Sequence, residues 1–177
     1  MARAVYEVVV IDGHEIRVYR QSRRSLVMKT TPLGLVMFIP RRASLRSDLV
    51  QGFIRDALHR LGDKAAPQNS PVITSPGMLR QMVREWAARM HVKPGRISIR
   101  EMFRKWGSCS SKGNISLNTA LCRVPRPLAE YVIVHELAHL TEFNHNKGFR
   151  ALMDVYLPDW REREEALQAW MAGGRID

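Results

Sequence analysis

Between Val5 and Ile39 the apolar residues arrive in short β-rich runs rather than at helical spacing. The run YEVVVIDGHEIRVYR breaks at Asp12-Gly13, which predicts a hairpin, and SLVMKTTPLGLVMFIP turns near Pro32 to Gly34, which predicts a second pair of strands. Together they predict a small antiparallel sheet of about four strands. Beyond Ser44, read as a helix cap, Leu45, Leu49, Phe53, Ile54, Ala57, Leu58 and Leu61 recur at helical spacing and predict a helix with that stripe on the sheet. The stretch over 62–77 then concentrates Gly, Pro, Ser and Asn. Residues 1–64 are therefore expected to form a β-rich unit with one helix, and 65–77 a linker.

The pattern changes over 78–177. Leu79, Met82, Val83, Trp86, Ala87 and Met90 share one face of a helix that His91 to Gly95 should stop. Ile97 and Ile99, then Ile115 and Leu117 across a Gly- and Ser-rich turn, predict a β-hairpin. Pro127 suits the first turn of a helix continuing through YVIVHELAHL, and two shorter helices follow, one ended by Pro158 and one capped by Asp159. The expected fold class is α+β: an N-terminal antiparallel sheet with helix, then a compact unit of hairpin, motif-bearing helix and C-terminal helices.

Composition fits a packed globular chain, with 45% hydrophobic and 25% charged residues among 177. Two cysteines, Cys109 and Cys122, make no disulfide framework, and the N-terminus does not resemble a signal peptide. No apolar stretch is long enough to cross a bilayer, so a cytoplasmic, non-membrane protein is expected. The net charge of +11 is unevenly spread: residues 1–64 carry 12 Lys or Arg against 6 Asp or Glu, 65–126 carry 11 against 2, and 127–177 carry 5 against 9. The basic part could attract nucleic acid, nucleotides or acidic protein surfaces, or could simply be a solvated surface. Sparse aromatics weigh against single-strand binding.

The chemistry is concentrated in His135-Glu136-Leu137-Ala138-His139. Two histidines four apart project from one face of a helix, about a turn apart, so both imidazoles can reach one cation. A catalytic zinc takes three protein ligands and a water, and His145, six residues after His139, is the natural third. One zinc ion per chain is expected. The spacing HExxHxxxxxH equals that of metzincin peptidases, but their turn glycine falls where this chain has Glu142, which argues against a true metzincin; Asn144, tolerant of left-handed geometry, is expected to make the turn. Glu136 is expected to act as general base on zinc-bound water, and amide hydrolysis suits the set best. His14, His59 and His91 have no comparable setting. In Trp106 to Ser110, Gly107 permits close backbone approach, the serines could satisfy local backbone groups, and Cys109 is either a small packed thiol or a thiolate within reach of the metal.

The stretch KWGSCSSKGNISLN, then YVIVHELAHL, Asn144-His145 and Pro158-Asp159, resembles the YgjP-like metallopeptidase family, related to SprT-like zincins, over roughly residues 20 to 170. That resemblance implies a zincin-like unit with the downstream histidine as third ligand. Lys105, Asn146 and Arg150 depart from the family's usual residues without touching the three histidines or Glu136.

Three functions are compatible with these residues. A zinc metallopeptidase acting on a flexible polypeptide comes first. A metal-dependent nucleotide phosphohydrolase, a nucleoside triphosphate pyrophosphatase, is implied by the same family resemblance; no Walker-type phosphate loop accompanies it. A basic nucleic-acid-associated module with structural zinc comes last, because a structural site takes four protein ligands and has no use for a base such as Glu136.

Overall fold

A computed structural model describes residues 6–61 and 74–171. The chain divides into two compact units, Met1–Gln68 with Trp170–Asp177, and Asn69–Ala169. The expected linker lies outside the described residues as far as residue 73.

In the first unit, β1 (Tyr6–Ile11) and β2 (His14–Gln21) are joined by Asp12 and Gly13, whose φ angles of 50° and 78° make the tight turn expected of this dipeptide. β3 (Val27–Thr31) and β4 (Gly34–Pro40) form a second antiparallel pair. The sheet order is β1-β2-β4-β3, and β2 runs parallel to β4, with Ile16 opposite Leu35. The sheet is therefore mixed, not wholly antiparallel as expected. The reason lies in β4: Gly34 to Met37 and Ile39 are buried, and a strand apolar on both faces belongs in the middle of a sheet, which leaves β3 at the edge.

Helix α1 (Asp48–Leu61) lays Val50, Ile54 and Leu58 on Ile16, Val18, Leu35, Met37 and Ile39. Two details differ from expectation. Ser47, not Ser44, opens the helix, its carbonyl accepting from the Gln51 N–H and its hydroxyl from the Val50 N–H, while Ser44 Oγ accepts from Arg46. Leu49 is 73% exposed, because the buried stripe starts one residue later and so lies about 100° further round the helix.

The second unit begins with α2 (Pro76–Arg89), capped by Ser75 Oγ accepting from the Met78 N–H at 3.2 Å. His91 adopts φ 54° just past its end, and the Val92 N–H donates to the Ala87 carbonyl, so this histidine is explained by a helix stop. β5 (Ile97–Arg100), β6 (Gly107–Cys109) and β7 (Ile115–Asn118) form a sheet of order β5-β7-β6. The two strands expected as a hairpin do pair, but in parallel; the antiparallel partner of β7 is β6, three residues too short to show a period in sequence. β6 is an edge strand.

After a 3-10 helix over Thr119–Arg123, α3 (Arg126–Ala138) starts with Pro127 in its first turn and is buried on nearly every side, including Ile133, Val134 and Leu137 at 0% exposure. α4 (Lys147–Tyr156) and α5 (Trp160–Met171) follow. Arg163 ties α5 to the start of α3, donating to the Pro127 carbonyl at 3.1 Å and pairing with Glu130 at 3.2 Å. Tyr131 Oη donates to Glu164 at 3.0 Å across the same seam. Among the described residues no helix is long and apolar enough to cross a membrane.

Candidate metal centre

His135 and Glu136 occupy the last turn of α3, and His139 stands at its C-cap. The loop that follows returns His145, whose Nε2 lies 3.0 Å from His135 Nε2. One ligand nitrogen from each of His135, His139 and His145 falls within 4.8 Å of the others. Asn144 does not make this turn in left-handed geometry: among the described residues only Asp12 and His91 combine a side chain with positive φ. The chain turns instead by continuing the helix's hydrogen bonding, with the Thr141 and Glu142 N–H groups both donating to the Ala138 carbonyl.

The donor set fits zinc. Burial, and then the charges of His139 and His145, push His135 down to about 3, so its imidazole is neutral near pH 7, and burial lowers His139 as well. His139 Nδ1 lies 3.1 Å from the Glu142 carbonyl, which fixes the proton on Nδ1 and leaves Nε2 a lone pair. Two facing Nε2 atoms at 3.0 Å can share at most one proton, and the buried Nδ1 of His135 has no hydrogen-bond partner among the described residues. A cation bound by the Nε2 atoms would satisfy these converging lone pairs.

Phe149, in α4, forms the floor of the cluster. It is 2% exposed, stacks on His139 at 4.7 Å between centroids, and meets His135 and His145 in edge-on contacts at 4.9 and 4.7 Å. Its spacing, four after His145, was the signal in the sequence that could have marked it.

Glu136 is 7% exposed and lies against β6. A Cβ on Gly107 would come within 2.5 Å of Glu136 Oε1 and 2.6 Å of its Cγ, so a glycine is needed here for the carboxylate to fit, in line with the close approach anticipated at this residue. Burial raises the Glu136 carboxyl to about 7, opposed by the charge of Lys105 and by the Cys109 backbone N–H, which donates to it. The Trp106–Lys105 segment is set by Asn118, 0% exposed: its amide nitrogen donates to the Met102 and Lys105 carbonyls at 2.6 and 2.9 Å, and its backbone N–H to the Trp106 carbonyl at 2.7 Å. In the sequence Asn118 stood only as the last residue of the KWGSCSSKGNISLN stretch, with no role read for its amide. Trp106 is half-buried, Ser110 Oγ accepts from the Asn114 N–H, and Cys109 does not join the histidine cluster; burial and the Glu136 charge both raise its thiol. His14 lies near the Asp12 carbonyl and His59 is exposed, and neither belongs to the group of three.

The sequence model of the YgjP-like, metallopeptidase domain matches residues 76–169, from the start of α2 into α5. The chain belongs to the YgjP-like metallopeptidase family. The YgjP-like match takes in every residue of the cluster together with Glu136, Gly107 and Asn118. A curated relative, the UTP pyrophosphatase of Escherichia coli (strain K12), is 34% identical over 65 residues, spanning 37% of this chain and 39% of that protein. The chain is also similar to two crystal structures of metallopeptidase zymogens. Pyrococcus abyssi abylysin shares 20% identity at a TM-score of 0.48 over 56% of this chain and 100% of that one. Methanocaldococcus jannaschii jannalysin shares 25% identity at a TM-score of 0.46 over 51% of this chain and 93% of that one.

Proposed function

We propose that this YgjP-like chain is a zinc peptidase in which His135, His139 and His145 hold one ion and Glu136 is the general base. The observation that carries the reading is the convergence of three imidazole nitrogens beside a buried carboxylate braced on an edge strand. Bound zinc would supply Lewis acidity, polarising a substrate oxygen and acidifying a water. The remaining roles belong to the chain. Glu136 takes the proton of the attacking water and passes it to the departing amine nitrogen, its orientation held by the Cys109 N–H and by the wall of Gly107.

The edge strand supports an extended polypeptide as substrate. Hydrogen bonds from Asn118 to the Trp106 carbonyl and from Ser110 to the Asn114 carbonyl fix the alternation in β6, so the backbone groups of Gly107 and Cys109 point away from β7. One of them, the Cys109 N–H, serves Glu136; Gly107 is buried, so an added strand would meet this edge at Cys109. The match to a UTP pyrophosphatase favours a second reading, in which Lys105, close enough to act on the Glu136 charge, holds phosphate oxygens instead.

Zinc-loaded protein and its Glu136→Gln variant, incubated separately with unstructured proteins and with nucleoside triphosphates and analysed by mass spectrometry, separate the two readings. Glu136-dependent peptide products are expected. Glu136-dependent pyrophosphate release without peptide cleavage would replace the peptidase reading with the nucleotide one.

A further inference from the structure

His145 differs from the other two histidines in having no helix beneath it. It lies on an exposed loop, and an unrestrained loop would lose backbone entropy when its histidine bound a metal. The loop is nevertheless closed on itself. Asn146 Nδ2 donates to Glu142 Oε2 at 3.0 Å, bridging the two residues that flank Phe143, Asn144 and His145. The other end of the same amide, Oδ1, accepts from the Phe149 N–H at 2.9 Å and caps α4. Glu142 in turn receives His139 Nδ1 on its carbonyl, so one residue contacts both the second histidine and the bridge around the third. Gly148 makes room for this bridge: a Cβ there would lie 2.8 Å from Glu142 Oε1 and 3.3 Å from Asn146 Oδ1.

We propose that Glu142 and Asn146 are positioning residues that pre-set His145 for the metal, with Gly148 as the space their bridge requires. The inference rests on the three-histidine reading of the centre. Neither side chain is offered as a ligand; each acts through the shape of the loop that carries one. The carboxylate sits where it does because the amide of Asn146 holds it and Gly148 has no side chain to displace it. A methyl at residue 148 meets the far end of a flexible side chain, so it would shift the carboxylate without breaking α4, where alanine is the better helix former.

The test uses the full-length protein and zinc itself. Zinc affinity is measured by competition with a chromophoric chelator, cobalt(II) spectra report the donor number, and the melting temperature is read without metal. Asn146→Ser keeps a hydroxyl that can cap Phe149 but is too short to reach Glu142, and should weaken zinc about tenfold. Gly148→Ala should weaken zinc several-fold with an unchanged or higher melting temperature, and Glu142→Ala, which removes the oxygen that Asn146 donates to, should weaken zinc about as much as Asn146→Ser. In a His145→Ala background, Asn146→Ser should cost nothing further. Affinities within twofold of wild type for both Asn146→Ser and Gly148→Ala would overturn the proposal, and so would losses of zinc seen only where the metal-free melting temperature also falls. Normal zinc affinity in His145→Ala itself would instead overturn the three-histidine reading.

Discussion

His135 and His139 are delivered by α3, a helix buried on nearly every side, whereas His145 comes from an exposed loop that passes from that helix to α4. For the first two, main-chain hydrogen bonding and close packing around Ile133, Val134 and Leu137 fix the separation before any metal arrives. The third is met instead by side-chain contacts: the Asn146 amide bridges to the Glu142 carboxylate beside it, and the ring of Phe149 lies against the imidazole. A donor set can thus be rigid for two different reasons, and the two should respond differently to substitution.

The largest effect should come from the three proposed ligands. Zinc in small sites is bound with about 10–16 kcal/mol over four ligands, or roughly 3 kcal/mol each, so replacing His135, His139 or His145 with alanine should weaken zinc on the order of a hundredfold. Stoichiometric zinc held at normal affinity by His145→Ala, measured by calorimetry, would remove the loop from the comparison. Next comes Glu136→Gln, which preserves length and leaves all three imidazoles in place: hydrolysis should fall about a hundredfold while zinc affinity changes little. If the variant lost zinc and regained activity when metal was supplied in excess, Glu136 would be a ligand on the helix side and the base would have to be sought elsewhere. The smallest effect sharpens the role of β6. Gly107→Ala forces a methyl against the Glu136 carboxylate, and should cost about 1–3 kcal/mol of stability by overpacking and lower turnover more than it lowers zinc affinity. Unchanged turnover in a folded Gly107→Ala protein would show that the strand does not orient the base.

Much of the helix side was legible in the sequence. The four-residue spacing of His135 and His139 and the proline at 127 are local signals, and local hydrogen bonding is what makes a helix. Asp12-Gly13 was readable for the same reason. Residues whose partners are distant in sequence were not. Periodicity reports which face a strand residue takes, not which strand lies beside it, so β2 against β4 and β5 against β7 emerged as parallel pairs where antiparallel ones were expected. Asn118 was legible only as the end of the KWGSCSSKGNISLN stretch, because its amide reaches Met102 and Lys105, 16 and 13 positions away. The loop side was half legible: the spacing identified His145, but the turn was assigned to Asn144, and the residues that close it are Glu142 and Asn146.

The mixed sheet of the first unit has a consequence for how the chain acquires it. β1 with β2 and β3 with β4 are each closed by a tight turn, so each pair can form from contacts a few residues apart. The seam between β2 and β4 is different: Ile16 meets Leu35 and Val18 meets Met37, each 19 residues apart, and no turn brings them together. The kinetic barrier should therefore sit at the meeting of two preformed hairpins, where loop closure must be paid before burial rewards it. Stopped-flow folding of Val18→Ala and Met37→Ala should show the loss of stability mainly as slower folding, and an effect confined to the unfolding rate would mean that the seam closes only after the barrier has been crossed.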